Sequence, residues 1–544
     1  MRVLVAQLNP IIGAIEKNVE KIIAALKSAR KKKVDIVLFS ELTICGYPPE
    51  DLLLHKEFLD AVEEGLKKII PQTNGLMAVV GTIRRSDQAQ EKSIYNSAAI
   101  IQDKKLIGFY DKCLLPTYDV FDERRYFLKG EGSRIWEWKG KKIGVIICED
   151  MWQHSGAMKN INYSVDPVID LEASSPDLIL NLSASPYQFQ KPDTRVKVCQ
   201  KAAETLKCPV ILCAQVGAND QLVFDGYSVF VNKEGALSQL AKGFEEDEML
   251  VDTEAASCPC PFDYNPIQDL YRALVLGTKD YFQKQGFTKG LVGISGGIDS
   301  ALVASIATEA LGKENVYGVY MPSSYNSPSS LEDARALAKN LGIKLDEISI
   351  EQLFQSTLST LKPYLQNNPV DATEENLQAR IRGTLLMALS NKLGHILLST
   401  GNKSEMAAGF CTLYGDMAGG LAVISDVLKT QVYTLSKWVN RSKEIIPLST
   451  IEKAPSAELR PNQKDSDSLP DYAILDAVIE SYIEEFLSPK EISKKHNIPQ
   501  SLVIDLIKRI HRAEYKRRQA PPGLRVSKQA FRVGRRSPIV QGWI

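Results

Sequence analysis

The second half of the chain repeats one pattern: a short apolar run, an amphipathic stretch of helical spacing, then another apolar run. Residues 290–294, 316–321, 344–348 and 395–400 read as strands, and residues 298–311, 331–341 and 374–391 as helices. Neighbouring parallel strands need a crossover of a dozen or more residues, which a helix supplies. The alternation therefore predicts a doubly wound parallel sheet with helices on both faces.

The first half is patterned differently. Residues 3–6, 35–39, 77–82, 96–102, 106–110, 142–147, 178–182 and 210–214 read as strands, with a helix over 19–29. The runs 96–102 and 106–110 form a hairpin around Asp103-Lys104-Lys105. Hairpins mixed with helices predict a layered α/β domain. Between the halves lie the acidic run Glu245-Glu246-Asp247-Glu248 and the prolines 259, 261 and 266, which continue neither helix nor strand. This predicts a domain over 1–245, a linker over 246–266 and a second domain over 267–544. The Cys258 and Cys260 pair has no histidine near it and reads as linker rather than metal site.

Composition excludes several classes. Sixty-six basic and 66 acidic residues cancel, so bulk charge does not recruit nucleic acid. An apolar content of 44% with 24% charged residues excludes a wholly disordered chain. No apolar run approaches the roughly 20 residues of a membrane helix, and the N-terminus has no secretory pattern. Nine cysteines without a C-x-x-C pair argue against disulfides or a zinc ribbon and fit a reducing cytoplasm.

Three polar residues stand at or near strand ends in the first half: Glu41, Lys112 and Cys148. A thiol attacks an amide as thiolate and needs a base and a cation nearby. A carboxylate can be the base, and an ammonium lowers the thiol pKa and stabilises an oxyanion. Singly, each has a plainer reading: a buried core thiol, a solvated lysine, a helix-start carboxylate.

The runs Ser40-Glu-Leu-Thr-Ile-Cys-Gly-Tyr-Pro-Pro, Tyr110-Asp-Lys-Cys-Leu-Leu-Pro-Thr-Tyr and Ile146-Ile-Cys-Glu-Asp-Met-Trp, in this order, resemble the nitrilase superfamily. The resemblance implies an α-β-β-α sandwich with Glu41 as general base, Lys112 as oxyanion stabiliser and Cys148 as nucleophile. It also implies that Tyr118, Glu149, Ser185 and Lys191 hold the amino acid end of a glutamine, with Glu123 as a second, pocket-shaping carboxylate. A cation at Lys191 suits an α-carboxylate; its plain alternative is a surface lysine.

The loop Ser295-Gly-Gly-Ile-Asp-Ser lies between a predicted strand and helix. Its glycines allow close backbone approach, and the helix N-terminus favours an anion. It lacks the lysine of a Walker P-loop, and a turn is its plain alternative. The hexapeptide resembles the signature of the N-type ATP pyrophosphatases. Asn376-Leu-Gln-Ala-Arg, Ser399-Thr-Gly-Asn-Lys-Ser-Glu, Val427-Leu-Lys-Thr, Lys453-Ala-Pro-Ser-Ala-Glu-Leu and His511-Arg-Ala-Glu-Tyr-Lys-Arg-Arg resemble NAD synthetases. Together the halves resemble the glutamine-dependent members of that family.

The resemblance implies that Gly293, Ile294, Ser295, Gly296, Gly297, Ile298, Asp299, Ser300, Thr400, Lys429 and Ser456 bind ATP. It implies that Asn376, Arg380, Glu405 and Lys516 bind deamido-NAD⁺. Asp299, with Glu405, is expected to hold Mg²⁺, since a carboxylate beside a triphosphate needs a bridging cation. The plain reading of Arg380 and Lys516 is a solvated helix face; for Glu405 it is a carboxylate at a helix N-terminus. Arg532 stands where the family pattern has a glycine, and the run from Asp465 to Tyr472 also departs from it. The expected partners are small molecules (glutamine, ATP and deamido-NAD⁺) and further copies of the chain, with an internal path for ammonia. The alternatives are another glutamine-fuelled adenylating ligase or a non-catalytic scaffold.

Overall fold

The computed structural model describes residues 1–86, 92–157, 162–255, 259–365, 371–532 and 534–543. Cys258 lies outside them. The chain divides into two compact units, Met1–Pro266 and Ile267–Ile544.

In the first unit two six-stranded sheets face each other. One runs in the order Asp247–Asp252, Arg2–Gln7, Ile36–Leu38, Met77–Arg85, Ile94–Gln102 and Lys105–Asp111. The other runs Leu237–Leu240, Val229–Val231, Val210–Ala214, Leu178–Ser183, Lys141–Ile147 and Arg134–Trp138. Side chains alternate along a strand, so Val3 and Val5, Ile36 and Leu38, Met77 and Val79, and Ala98 and Ile100 share the inner face. They form one core with Ile143, Val145, Leu178 and Leu180. Each such side chain, fully buried, stabilises the unit by about 1.5–3 kcal/mol.

Helices Pro167–Glu172 and Lys191–Leu206 add Val168, Leu171, Cys199 and Ala203 to the same core. Helix Lys56–Ile69 packs on Met77–Arg85 and on helix Ile15–Lys31. The result is the expected α-β-β-α sandwich.

The linker expected from residue 246 gives way to an edge strand. Asp247–Asp252 pairs antiparallel with Arg2–Gln7, from Arg2 opposite Asp252 to Gln7 opposite Asp247. Met249 and Val251 enter the core. Of the acids, Glu246 meets Lys21 at 2.8 Å and Glu248 meets Lys32 at 2.6 Å. Glu245 and Glu246 precede the strand, Asp247 opens it, and Glu248 lies on the face opposite Met249 and Val251. The hairpin of Val216–Asn219 and Leu222–Asp225, and the three short strands Arg134–Trp138, Val229–Val231 and Leu237–Leu240, add to those read from the sequence.

The second unit holds a five-stranded sheet in the order Lys344–Glu347, Val316–Tyr320, Gly290–Gly293, Ile396–Ser399 and Leu421–Ala422, every pair parallel. Ile381, Leu385 and Leu386 of helix Ala372–Leu393 pack on Leu291, Val319 and Leu397. On the opposite face Gly290 looks at Leu311 of helix Ile298–Leu311 and Phe282 of helix Pro266–Gln285. The strand order reverses between Gly290–Gly293 and Ile396–Ser399. Such a switch point opens a crevice at the carboxyl ends of the strands.

Helices Glu351–Leu365 and Lys429–Val439 were not anticipated. The helical tail 473–515 is broken into Tyr472–Ile479, Pro489–His496, Gln500–Arg512 and the short Glu514–Arg517. Pro489 and Pro499 explain two of the breaks, since proline starts a helix but does not continue one. Among the described residues no helix is long and apolar enough to cross a membrane.

Candidate active sites

The first site sits where Ile36–Leu38, Lys105–Asp111, Lys141–Ile147 and Leu178–Ser183 end. Cys148 follows its strand directly, with φ +43°. A left-handed conformation is costly for a non-glycine residue and recurs where a side chain must be aimed. Ser183 donates to Cys148 Sγ at 3.4 Å. Lys112 Nζ, 1% exposed, donates to Glu41 Oε1 at 2.6 Å and to Glu123 Oε1 at 2.7 Å. Glu41 accepts further bonds from Asn96 Nδ2 at 2.8 Å and from the Ala184 amide at 3.0 Å.

Burial pushes the Cys148 thiol up, the Glu41 charge adds to this, and Lys112 opposes it. Burial and the Glu41 charge together favour the neutral thiol over the thiolate. Glu123 is pushed up to about 7, first by burial, while Lys112 pulls it down. Lys112 itself is held well above its ordinary value by Glu123 and Glu41 against the opposing effect of burial. It remains a cation.

Glu149 follows Cys148 in the chain and is 3% exposed. Tyr118 OH is 3.0 Å from both its oxygens, and Tyr163 OH donates to Oε1 at 2.9 Å. Lys191 opens helix Lys191–Leu206, donates to the Pro186 carbonyl at 2.8 Å and lies 5.3 Å from the Trp152 ring centre. Ser185 is buried two residues beyond Ser183.

The motifs assign no role to several supports. Asp150 is fully buried and accepts from the amides of Cys113, Leu114 and Ile147 and from Tyr110 OH. It ties the loop that carries Lys112 to the turn that carries Cys148. Its position next to Cys148-Glu149 was the one available hint. Gly81 allows a backbone crossing: a Cβ there would lie 2.3 Å from the Ser40 carbonyl oxygen and 2.4 Å from the Leu42 nitrogen. Gly130 does the same beside Lys112, where a Cβ would lie 2.1 Å from the Asp111 oxygen. Asn96 and Tyr47, which donates to Glu123 at 3.0 Å, complete the set.

The second site occupies the switch-point crevice, a cavity of about 300 Å³. Gly293, Ile294, Ser295, Gly297, Ile298, Asp299, Ser300, Thr400, Glu405, Lys429 and Ser456 line it. Ser295 Oγ and Ser300 Oγ lie 3.1 Å apart, and the Gly297 amide donates to Ser295 Oγ at 3.2 Å. Gly296, at φ +80°, would carry a Cβ 2.3 Å from the Ser330 oxygen, so the loop needs glycine there. Lys429 Nζ donates to Asp299 Oδ2 and lies 3.8 Å from Glu405. Asn402 donates to Asp299 Oδ1 at 2.9 Å.

Burial, then the Asp299 charge, push Glu405 up to about 8. A second negative charge is unfavourable here, and a bound cation would relieve it. Mg²⁺ takes one or two carboxylates and completes its shell with phosphate and water. Asp299 and Glu405 are such a donor pair, so the residues fit the expected ion.

Asn376, Arg380 and Lys516 gather at the neighbouring 409–415 loop without lining the cavity. Asn376 accepts from Thr412 at 2.6 Å, Arg380 donates to the Leu413 carbonyl at 3.2 Å, and Lys516 donates to the carbonyls of Gly409 and Cys411 at 2.8 and 2.7 Å. Thr412 and Gly415 of that loop do line the cavity. Part of the basic tail serves the fold instead: Arg517 and Arg535 pair with Glu514 at 2.8 and 2.6 Å. Asp465, Asp416 and Lys453 also line the crevice; the resemblance assigns them no individual role.

Residues 2–257 match the family model for carbon-nitrogen hydrolases, and residues 270–520 match that for NAD synthases. The chain is 46% identical to the glutamine-dependent NAD(+) synthetase of a Synechocystis species, over 99% of each. It is 44% identical to that of Thermotoga maritima, over 99% of this chain and 98% of the relative. A solved structure of the Acinetobacter baumannii glutamine-dependent NAD+ synthetase in complex with adenosine diphosphate is 39% identical. It matches with a TM-score of 0.78 over 100% of this chain and 99% of that one. With one unit matching carbon-nitrogen hydrolases, the other matching NAD synthases and relatives matching end to end, the chain belongs to the glutamine-dependent NAD(+) synthetases, carbon–nitrogen ligases that use glutamine.

Proposed function

We propose that the two sites run consecutive half-reactions joined by ammonia. In the first, Cys148 Sγ attacks the glutamine side-chain carbonyl as its proton passes to Glu41. Lys112 stabilises the oxyanion that forms. The carbon–nitrogen bond breaks, Glu41 returns the proton to the leaving nitrogen, and ammonia departs from a thioester on Cys148. Water then attacks the thioester with Glu41 taking its proton, glutamate leaves, and the proton returns to sulfur. Glu149, with Tyr118, receives the α-ammonium, and Lys191 with Ser185 receives the α-carboxylate. Glu123 holds Lys112 from the second side and shapes the pocket.

In the second unit the nicotinate carboxylate of deamido-NAD⁺ attacks the α-phosphorus of ATP and pyrophosphate leaves. Ammonia then attacks the acyl-adenylate, loses a proton, and AMP departs from the amide of NAD⁺. The Ser295–Ser300 loop, with Thr400, Lys429 and Ser456, cradles the ATP. Asp299 and Glu405 would hold Mg²⁺, which supplies charge neutralisation on the phosphates. Asn376, Arg380, Glu405 and Lys516 orient the dinucleotide. The enzyme acts as a homo-oligomer in the cytoplasm, where Cys148 stays a free thiol.

The observation that carries this reading is the buried Glu41–Lys112 contact of 2.6 Å in the same site as the Cys148 turn. It forms an amide-cleaving site on a chain whose other unit has a nucleotide crevice. The test follows pyrophosphate and NAD⁺ together. Both form only when ATP, Mg²⁺, deamido-NAD⁺ and a nitrogen source are all present. Turnover of a different carboxylic acid, with deamido-NAD⁺ inert, contradicts the assignment.

A further inference from the structure

Tyr163 stands outside the nitrilase-like motifs, yet its hydroxyl reaches the same carboxylate as Tyr118. Glu149 Oε1 lies 3.0 Å from Tyr118 OH and 2.9 Å from Tyr163 OH. The tyrosines approach from different segments, one after the Lys112 loop and one after the Cys148 turn. The Tyr163 main chain is fastened by a single side chain. Gln153 accepts from the Tyr163 amide at 2.5 Å and donates to the carbonyls of Tyr163 at 3.2 Å and Val165 at 3.0 Å. The Arg124 guanidinium lies 5.8 Å from the Tyr163 ring centre.

The next residue, His154, anchors this segment to the rest of the pocket. Its Nδ1 lies 3.0 Å from Asp166 and its Nε2 2.8 Å from Thr205. Thr205 belongs to helix Lys191–Leu206, whose first residue is Lys191. The turn that places Tyr163 is thus tied to the helix that places the other charged residue assigned to glutamine.

We propose that Tyr163 is a positioning residue for glutamine: its hydroxyl, set by the Gln153 clamp, fixes the Glu149 carboxylate that receives the substrate α-ammonium. This rests on the assignment of Glu149 to glutamine made above. The role has a chemical reason. Burial pushes Glu149 up; Lys112, the hydroxyls of Tyr163 and Tyr118, and Lys191 oppose it. A buried carboxylate that must pair with an ammonium needs donors on the oxygens the ammonium leaves free. Both hydroxyls crowd Oε1, and Tyr118 alone also reaches Oε2 at 3.0 Å. Among the described residues Oε1 thus has two hydroxyl partners and Oε2 one.

The test substitutes Tyr163→Phe, which keeps the ring and removes the donor. Glutamine KM is expected to rise about tenfold, the scale of one hydrogen bond to a charged group. Synthesis from ammonia and kcat at saturating glutamine stay within about twofold. The variant's glutamine KM also climbs from a higher pH as the solution is acidified. The hydroxyl lowers the Glu149 pKa, so its loss lets the carboxylate protonate sooner. Gln153→Ala, which frees the main chain and leaves the hydroxyl in place, moves KM in the same direction.

A glutamine KM unchanged in both variants overturns the proposal, as does an equal fall in kcat with glutamine and with ammonia. Glu149→Gln separates this inference from its premise. If Glu149→Gln raises glutamine KM sharply and Tyr163→Phe does not, only the role of Tyr163 fails. If Glu149→Gln leaves glutamine use intact, the assignment of Glu149 fails first.

Discussion

The substitution Gly81→Ala adds one methyl group against the backbone of Glu41 and is expected to disable glutamine use. Gly81 lies in strand Met77–Arg85, where the chain crosses the backbone around Glu41. The new Cβ would lie 2.3 Å from the Ser40 oxygen, 2.4 Å from the Leu42 nitrogen and 2.8 Å from the Glu41 carbonyl carbon. Real Cβ contacts essentially never fall below 3.0 Å, so the backbone beside Glu41 must move by at least about 0.7 Å. All three neighbours are backbone atoms, so no flexible side chain can absorb the shift. The movement falls on a carboxylate held at 2.6 Å by Lys112 and at 3.0 Å by the Ala184 amide.

A misplacement approaching 1 Å at a catalytic group costs about 10²-fold in rate, or about 2.7 kcal/mol of transition-state stabilisation. Overpacking a dense core adds a stability loss of about 1–3 kcal/mol. The assay compares NAD⁺ formation from glutamine and from ammonia in the same preparation. The glutamine rate should fall about 10²-fold while the ammonia rate stays within about twofold. A folded variant with undiminished glutamine use would refute the claim that this crossing sets the position of Glu41.

Other perturbations address the remaining parts. Glu405→Gln should change the pH dependence of stability. The folded pKa is pushed up to about 8 from an ordinary 4.5, so the folded state holds a proton that the unfolded state releases. The native second unit therefore loses stability as pH rises from 4.5 to 8, and denaturant unfolding of the variant should lack that slope. Chelating divalent cations with EDTA should abolish synthesis from either nitrogen source while glutamine hydrolysis persists; loss of hydrolysis too would contradict the division of labour. Asp150→Ala strands three amides and the Tyr110 hydroxyl and should cost the first unit about 3 kcal/mol or more in thermal unfolding.

The fold was legible where local pattern and tertiary role coincide. The parallel sheet announced itself because its strands are apolar runs separated by helices, and Ile298–Leu311 begins and ends where its pattern does. The edge strand Asp247–Asp252 hid because its outward side chains are mostly acids. A period-two test would have caught Met249 and Val251. Glu41, Lys112 and Cys148 were legible because their chemistry and local motifs stand out. Their supports were not: Gly81 and Gly130 act by what a Cβ would strike, and Asp150 by bonds to residues about 35 positions away. Tyr163 has no motif, and only its proximity to Glu149 reveals it.

In the proposed function one chain carries two separable sites, one releasing ammonia and one consuming it. Cys148→Ala is the direct test, because it deletes the proposed nucleophile by removing one sulfur atom from a buried side chain. NAD⁺ formation is measured with glutamine and with ammonium at a pH that supplies free ammonia. Glutamine-supported synthesis should disappear and ammonia-supported synthesis should remain. Loss of both activities in a folded protein, or survival of glutamine-supported synthesis, would contradict it.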